Sequence, residues 1–414
     1  MRNTLIGHSR ARAWSESATR RAGRWDRWAA ARLQRAIREA DVRVELWDGS
    51  SPFGHGQAIG DLVIRDRRAL LGLIVNPELY FGEAYMTGRL DVRGSLDCVV
   101  EALSRLPAPA TTWHHRLSSR LAWPNSLASA RRNVHLHYDL GNDFYARWLD
   151  PEMLYTCAYF ASPAVALQQA QSAKLDLICR KLQLHAGDVV IDAGCGWGAL
   201  AIYMARHYDV RVKAFNISRE QIAYARARAD QEGLGGRIDF IEDDYRSATG
   251  TCDAFVSVGM LEHVGLRHFR SLANVLRRVV RRDGGRGLLH FIGRDAPRPL
   301  NPWIRRRIFP GAYPPTLAEV TTRVLGPAAM SVVDVENLRL HYARTLSCWS
   351  ERFARARNDV RSQYGDEFAR AWELYLAGSQ AAFASGWMQL FQVVFAPRES
   401  APPSWTRPSP PGVP

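Results

Sequence analysis

The sequence predicts an α/β protein with a doubly wound parallel sheet, preceded by a smaller α+β domain. From about residue 165 onward, short apolar segments alternate with segments of helical periodicity, which is typical of successive βαβ units. The first apolar segment ends in a glycine-rich turn, Gly194–Gly198. Residues 42–103 instead contain shorter alternating segments and turn dipeptides such as Asp48-Gly49. The larger domain is therefore expected to be Rossmann-like.

Changes in composition divide the 414 residues into four segments. Residues 1–110 form the predicted N-terminal domain, and the proline- and serine-containing segment 111–130 is a predicted linker. Residues 131–398 form the predicted main domain. The proline-rich tail, 399–414, is predicted to be disordered.

The N-terminal domain begins with an arginine-rich helical pattern. Trp25, Trp28, Leu33 and Ile37 lie near one predicted helical face. Such a helix either lies on a lipid surface or packs against its own domain. Two strand patterns, "VRVELWDG" and "IGDLVIRD", and an amphipathic segment, "SLDCVVEALSRL", complete the predicted α+β domain.

The main domain has five predicted strands separated by helices. A helix, "PAVALQQAQSAKLDLICRKLQL", precedes them. The strands are "DVVIDA", "DVRVKAFNIS", "IDFIEDD", "CDAFVSVGM" and "RGLLHFIG". In such a sheet the ligand lies at the carboxyl ends of the strands, where the strand order reverses, so the turn after the first strand is the candidate binding loop.

Charge and cysteine content narrow the class of protein. The net charge of +14 comes mostly from arginine and attracts polyanions such as an anionic membrane surface or nucleic acid. The six cysteines form no CxxC pair, so neither a disulfide framework nor a zinc site is indicated, and His135, His137 and His263 do not have a metal-ligand spacing. We expect no metal. No apolar segment reaches the length of a membrane span, and no secretory signal is recognised.

The glycine-rich loop favours S-adenosylmethionine (SAM) over other nucleotides. Dinucleotide folds use GxGxxG followed by an acid at the end of the next strand, but this chain has GxGxG, and the next strand ends in "AFNIS". The lysine and hydroxyl of a P-loop are also missing. Asp192 is expected at the sulfonium or amino group, Asn216 and Gln221 at the ribose, and Asp243 and Asp244 at the adenine. The full candidate cofactor set is Tyr155, Thr156, Asp192, Gly194, Cys195, Gly196, Trp197, Gly198, Asn216, Ile217, Gln221, Asp243 and Asp244.

Seven ordered motifs closely resemble the cyclopropane-fatty-acyl-phospholipid synthase family, which includes the mycolic acid cyclopropane synthases. The motifs are "HYDLGNDFY" (137–145), "YTCAYF" (155–160), "DAGCGWG" (192–198), "SVGMLEHVG" (257–265), "LLHFIG" (288–293), "IFPGAYPP" (308–315) and "DVENLRLHYARTLSCW" (334–349). Residues 131–397 resemble the family strongly, and residues 42–103 resemble more weakly the N-terminal domain of its phospholipid-acting members.

The resemblance implies a SAM-dependent methyltransferase that converts the double bond of a phospholipid acyl chain into a cyclopropane. The alkene takes the methyl group of SAM, a carbocation forms on the chain, and a bound bicarbonate removes a proton so that the ring closes. Aromatic side chains near the motifs can stabilise the cation. By matching motifs, Cys157, Glu262, His290 and Tyr342 correspond to the family's bicarbonate-binding side chains, and Ile292 contributes through its backbone.

Three alternatives stay open at this point. One is a fatty-acyl methyltransferase that makes a methyl-branched or methylene product, because Asn216, Leu261 and Phe291 depart from the residues usual in the family. Another is a nucleic-acid methyltransferase, although no RNA-binding signature is recognised. The last is a non-catalytic lipid-binding homologue.

The expected partner is an unsaturated phospholipid in an anionic membrane, not nucleic acid. The resemblance and the positive charge together predict a cytoplasmic protein that associates peripherally with the inner face of the membrane. The N-terminal domain and its basic helix are expected to contact the bilayer, and a homodimer is expected.

Overall fold

The computed structural model describes residues 21–52, 58–107 and 140–400. The predicted linker 111–130 and residues 401–414 of the predicted tail lie outside the described residues. No helix in the described ranges is long and apolar enough to cross a membrane.

The N-terminal segment forms a small α+β fold, as predicted. Its sheet has the order β1-β2-β3, in which β1 and β2 are parallel and β2 and β3 are antiparallel. Its elements, in chain order, are α1 (Arg24–Ala36), β1 (Val42–Glu45), β2 (Gly60–Ile64), α2 (Arg67–Val75), α3 (Pro77–Met86), β3 (Leu90–Gly94) and α4 (Leu96–Ser104).

Helix α1 packs against this domain through a face that does not include Trp25 and Trp28. Its buried residues include Asp26 and Gln34, whose polar groups are used locally. The Gln34 amide donates to the Val42 carbonyl and accepts from the Val44 N–H, so it completes the hydrogen bonding at β1. Trp25 and Trp28 consequently point to solvent, with 74% and 52% of their surface exposed. The helix is packed and still presents aromatic side chains on its outer face.

The remaining elements include the seven strands of a second sheet. In chain order they are α5 (Asn142–Ala146), α6 (Leu167–Lys181), β4 (Val189–Ala193), α7 (Ala199–Tyr208), β5 (Arg211–Asn216), α8 (Arg219–Gln231), β6 (Ile238–Glu242), β7 (Ala254–Val258), α9 (Leu261–Val264), α10 (Phe269–Val279), β8 (Arg286–Gly293), α11 (Pro302–Arg307), α12 (Leu317–Val320), β9 (Met330–Asn337), α13 (Arg339–Tyr364), α14 (Asp366–Ser385) and β10 (Gln389–Pro397).

The sheet order is β6-β5-β4-β7-β8-β10-β9, and β10 alone runs in the direction opposite to the other six strands of this sheet. The chain first builds outward from β4 to β6 and then returns to build from β7 to β8, so the switch point lies between β4 and β7. The five predicted strands are confirmed as β4 to β8. Strands β9 and β10 were not predicted.

Two apolar layers cover the sheet, one on each face, which confirms the doubly wound prediction. Ile178 of α6, Ile202 of α7 and Ile222 of α8 belong to one buried cluster. Leu272 and Leu276 of α10 belong to the other. Burial of both faces explains why the parallel strands have nearly continuous apolar sequences.

The chain forms two compact units that are discontinuous in sequence. The first joins the N-terminal segment to Leu300–Pro310 and Leu346–Gly386, and the second contains the seven-stranded sheet. Within the first unit, Arg370 of α14 donates to the carbonyl oxygens of Tyr85 and Leu90 and pairs with Asp91 at 2.7 Å. The division at residues 110 and 131 stays a prediction.

Gly198 connects the turn after β4 to α7 and offers a test of the packing. Its φ is +83°, and a Cβ there would lie 2.7 Å from the Ala225 Cβ and 2.9 Å from the Phe240 ring. Gly233 has a φ of +69° and open space around it. We expect Gly198→Ala to lower the free energy of unfolding by about 1–3 kcal/mol more than Gly233→Ala, because only the former overpacks the core. Urea denaturation of both variants measures the difference; equal losses would contradict it.

Candidate functional site

The turn after β4 has the backbone conformation that its three glycines permit. Gly194, Gly196 and Gly198 have φ values of +89°, +55° and +83°, which side chains disfavour. The N–H groups of Gly194 and Cys195 both donate to the Phe215 carbonyl, at 2.9 and 3.0 Å, so the turn is held against the end of β5. The loop thus lies at the switch point, where a ligand of this sheet type binds.

Asp192 at the end of β4 is a buried carboxylate beside a buried lysine. Its Oδ2 atom has no hydrogen-bond partner among the described residues, and only 1% of the residue is exposed. Burial raises the pKa of Asp192 to about 7, although the nearby Lys174 charge opposes that rise. Burial lowers the pKa of Lys174 to about 8. Because desolvation disfavours both charges, a cationic ligand near Asp192 would gain a strong electrostatic attraction.

Lys174 was not predicted as a site residue. Its ammonium donates to Thr156 Oγ1 at 2.9 Å, so it connects α6 to the segment that carries Tyr155, Thr156 and Cys157. A signal was present in the sequence, because the chain has only three lysines and Lys174 lies among mostly apolar residues of the buried face of α6.

The residues predicted for the ribose lie together at the end of β5. The Asn216 amide donates to the Gly196 carbonyl at 3.1 Å and to Gln221 Oε1 at 2.7 Å. Its Oδ1 accepts from the Ser218 N–H, and Ile217 between them is half-buried. The departure from Thr or Ser at Asn216 therefore preserves hydrogen bonding between the glycine loop and α8.

The two acids predicted for the adenine follow β6, at the same edge of the sheet. Asp244 is buried, accepts from the Arg246 N–H and pairs with the Arg246 guanidinium at 2.8 Å. Asp243 is half-buried, and its Oδ1 accepts from the Asp244 N–H at 2.7 Å. Asp244 thus has a local structural role, which leaves Asp243 as the better candidate for ligand contact.

Trp197 of the glycine loop belongs to a cluster of aromatic rings. The Tyr145 ring centroid lies 5.1 Å from that of Trp197 and 5.5 Å from that of Tyr155. The Trp197 indole N–H donates to Asn142 Oδ1 at 2.7 Å, which orients the ring. Tyr138, an aromatic residue of the same motif as Tyr145, lies outside the described residues.

Glu262, Ile292 and His290 meet at the carboxyl ends of β7 and β8. The Ile292 N–H donates to Glu262 Oε1 at 2.5 Å, so this backbone group orients the carboxylate. His290 lies two residues earlier on β8, and its carbonyl accepts from the Gly259 N–H at 2.8 Å. The Ile292 N–H is therefore engaged by Glu262, and the expected contact of the Ile292 backbone with bicarbonate stays a prediction.

Leu338 contacts both Cys157 and Tyr342 and connects them to β10. The Leu338 carbonyl accepts from the Tyr342 N–H at 3.1 Å and lies 3.9 Å from the Cys157 Sγ. The Leu338 N–H donates to the carbonyl of Leu390, which is paired with Ile292 across β10 and β8. These contacts connect the segments that carry Cys157 and Tyr342 to the strand pair that contains His290 and Ile292. Burial raises the pKa of the Cys157 thiol, which keeps it protonated.

Two buried polar atoms in this region have no protein partner within the described ranges. They are Glu262 Oε2 and His290 Nε2, on residues that are 4% and 2% exposed. Burial raises the pKa of Glu262 to about 7 and lowers that of His290 well below its ordinary value. Buried polar groups are almost always hydrogen-bonded in proteins, so these atoms are suited to a small polar ligand.

The other candidates are accounted for as follows. Leu261 and Phe291, which depart from the family pattern, both belong to the apolar cluster on the α10 face. Burial lowers the pKa of His263 to about 4, so it is neutral at physiological pH. No group of three or more His, Cys, Asp or Glu residues in the described part of the chain could hold a metal ion. His135 and His137 lie outside the described residues.

Comparison with known proteins agrees with this geometry. Residues 125–393 match the family model described as mycolic acid cyclopropane synthetase, and residues 31–110 match a domain of unknown function. Cyclopropane-fatty-acyl-phospholipid synthase of Escherichia coli (strain K12) is 36% identical over 353 residues, which cover 83% of this chain and 89% of the relative.

Two further matches extend the comparison. A probable fatty acid methyltransferase of Pseudomonas putida is 36% identical over 361 residues, which cover 85% of this chain and 91% of that protein. The crystal structure of a mycolic acid cyclopropane synthase complexed with SAH and CTAB has a TM-score of 0.61 and 29% identity, and covers 64% of this chain and 97% of that one. The chain belongs to the mycolic acid cyclopropane synthetase family and is a SAM-dependent methyltransferase.

Proposed function

We propose that the protein transfers a methylene group from SAM to the double bond of an unsaturated phospholipid acyl chain, forming a cyclopropane. Bound bicarbonate is the proposed base. The observation that carries this proposal is the pair of buried, unpartnered polar atoms, Glu262 Oε2 and His290 Nε2, among the described residues. They lie on segments that the Glu262–Ile292 hydrogen bond joins.

The residues near β4 fit SAM. Gly196 has open space around its Cα, so a ligand can approach the backbone there. The Asp192 carboxylate would hold the cationic end of the ligand, and Asn216 with Gln221 would contact its ribose. The cyclopropane synthase structure that contains SAH supports SAM as the methyl donor.

The residues at β8 fit bicarbonate. This anion carries one hydroxyl donor and several acceptor oxygens, so it can satisfy a carboxylate and a ring N–H together. The ionised Glu262 would accept a hydrogen bond from the bicarbonate hydroxyl through Oε2. His290, the Cys157 thiol and the Tyr342 hydroxyl would surround the remaining oxygens.

The chain's own residues supply orientation and shielding for the reaction. SAM supplies the methyl group, and bicarbonate supplies the base that takes a proton from it. An alkene is a weak nucleophile, so alignment of the acyl chain must lower much of the barrier. The aromatic set of Tyr145, Tyr155 and Trp197 offers ring faces that stabilise positive charge and exclude water.

A second candidate product is a methyl-branched or methylene-bearing chain. The similarity to a probable fatty acid methyltransferase supports this product, because the chain is 36% identical to that protein and equally identical to the cyclopropane synthase. Both products require the same methyl transfer and differ only in how the cation on the chain is resolved.

Helix α1 supports contact with an anionic membrane at the inner face. Trp25 and Trp28 are exposed, with ring centroids 6.0 Å apart, and Arg32 and Arg35 follow Trp28 at helical spacing. Tryptophan is favoured at the membrane interface, and each basic residue near an anionic surface contributes about 1 kcal/mol. A homodimer stays a prediction.

The product can be identified directly. We expect the purified protein, incubated with SAM, bicarbonate and vesicles of an unsaturated anionic phospholipid, to yield a fatty acid one CH2 heavier that resists mild hydrogenation. Gas chromatography with mass spectrometry of the released fatty acids measures this. A heavier product that takes up hydrogen would replace the cyclopropane with the methylene alternative, and a heavier saturated branched chain would indicate a reduced product. Absence of any heavier product would contradict the proposal.

Glu262 should control the pH dependence. Its pKa of about 7 means that the ionised acceptor forms only as the pH rises through that value. At saturating SAM and constant bicarbonate ion concentration, kcat/KM for the phospholipid should therefore increase from pH 6 to pH 8. Glu262→Gln should lower kcat by about 100-fold or more and abolish this rise. Glu220→Gln, at an exposed carboxylate on α8, is the matched control. Full activity of Glu262→Gln would exclude the assigned role.

Membrane contact through α1 should depend on both aromatic and basic residues. We expect Trp25→Ala with Trp28→Ala to weaken sedimentation with anionic vesicles at least tenfold, because the interfacial contact of two indole rings is lost. Val332→Ala, at an exposed apolar position of β9, should have no effect. Binding of the wild-type protein should weaken with salt. Salt-independent binding would rule out the electrostatic contribution.

A further inference from the structure

A row of polar side chains crosses three neighbouring strands behind the candidate anion site. The sheet register places His290 of β8 opposite Gln392 of β10, and Gln392 opposite Glu336 of β9. Lys181, at the end of α6, donates to Gln392 Oε1 at 2.6 Å and pairs with Glu336. Gln392 Nε2 lies 3.1 Å from His290 Nδ1. The row therefore links a surface carboxylate, 18% exposed at its side chain, to a fully buried imidazole.

The row lies within an apolar layer. Gln392, His290 and Lys181 are 0%, 2% and 4% exposed. Leu288 and Val394, the next residues on the same face of β8 and β10, belong to the buried cluster on that face. Burying a charge and an amide there costs free energy, and well-packed apolar side chains are often at least as stabilising as a buried ion pair. Stability alone therefore gives little reason for these residues.

The donors and acceptors of the row have one consistent arrangement. A lysine ammonium can only donate, so the atom of Gln392 that faces it must be Oε1. The other end of the amide, Nε2, must then donate to His290. The Nδ1 atom of His290 is consequently an acceptor that carries no proton. Burial and the charges of Lys174 and Lys181 keep the imidazole neutral, so its single proton resides on Nε2.

We propose that Lys181 and Gln392 are positioning residues that hold His290 in the Nε2–H tautomer. In that tautomer the ring N–H points away from the row and donates to the ligand of the anion site. The Glu262 side chain, which accepts, and the His290 ring, which donates, then recognise opposite ends of a hydroxyl-bearing anion. The identity of that anion rests on the proposed function, whereas the tautomer does not.

Gln392→Glu is the variant that tests the inference most sharply. A glutamate there still pairs with Lys181 but can only accept, so His290 must move its proton to Nδ1. NMR of protein labelled with ¹⁵N-histidine distinguishes a protonated from an unprotonated ring nitrogen. His290 is assigned by the loss of its signals in His290→Asn. We expect the Nε2–H form in the wild-type protein and the Nδ1–H form in Gln392→Glu.

Activity should follow the tautomer. The inverted imidazole presents a lone pair instead of a donor, so kcat should fall roughly 100-fold, while KM for SAM changes less than twofold. Gln231→Glu, the same substitution at an exposed position of α8, should leave both values unchanged. Lys181→Met frees the amide to rotate, and it should give a mixture of tautomers with an intermediate kcat.

The outcomes separate the two proposals. A wild-type spectrum with the proton on Nδ1, or an unchanged tautomer in Gln392→Glu, overturns the inference. If Gln392→Glu does not fold, the tautomer in the wild-type spectrum decides the question. A tautomer change without any change in kcat shows that the row does not serve the reaction, which also overturns it. The expected tautomers in a protein that modifies no lipid would confirm the row and refute the proposed function.

Discussion

The pairing of β10 with β8 is the interaction on which the candidate anion site depends. Strand β10 enters antiparallel between β8 and β9, and its register places Gln392 beside His290 and Leu390 beside Ile292. The Leu390 carbonyl in turn holds Leu338, whose own carbonyl contacts Tyr342 and Cys157. A shift of one residue in β10 would turn Gln392 and Leu390 to the other face of the sheet. Backbone hydrogen bonding thus determines the chemistry of the site.

A second constraint is the charge balance around Lys174. This buried ammonium lies near Asp150, Asp192 and Cys157, and it is bonded to Thr156. It connects the turn that is expected to hold SAM with the segment that approaches the anion site. Removal of a charge from such a cluster would leave the others buried without compensation, so the two parts of the site are electrostatically coupled. The low exposure of the cluster strengthens this coupling.

The sequence was sufficient for the parallel part of the sheet because apolar strands and amphipathic helices alternate there. It was also sufficient for the glycine loop, whose positive φ values leave few alternatives to glycine. Strands β9 and β10 could not be predicted in the same way, because their pairing partners are distant in sequence and only one of the eight residues of β9 is buried. The sequence left the orientation of α1 open, because Gln34, a polar residue, is buried to satisfy β1 while two tryptophans are exposed. The role of Lys181 and Gln392 could not be predicted either, because only the strand register places Gln392 beside His290.

The long separation of β10 from β8 along the chain has a consequence for biosynthesis. Strand β8 is complete at Gly293, but the strand that covers its edge begins only at Gln389. A ribosome must therefore add nearly one hundred residues while this apolar edge has no partner, and unpaired edges favour aggregation. During synthesis, the His290 side chain can therefore meet Gln392 only after β10 has emerged and paired with β8.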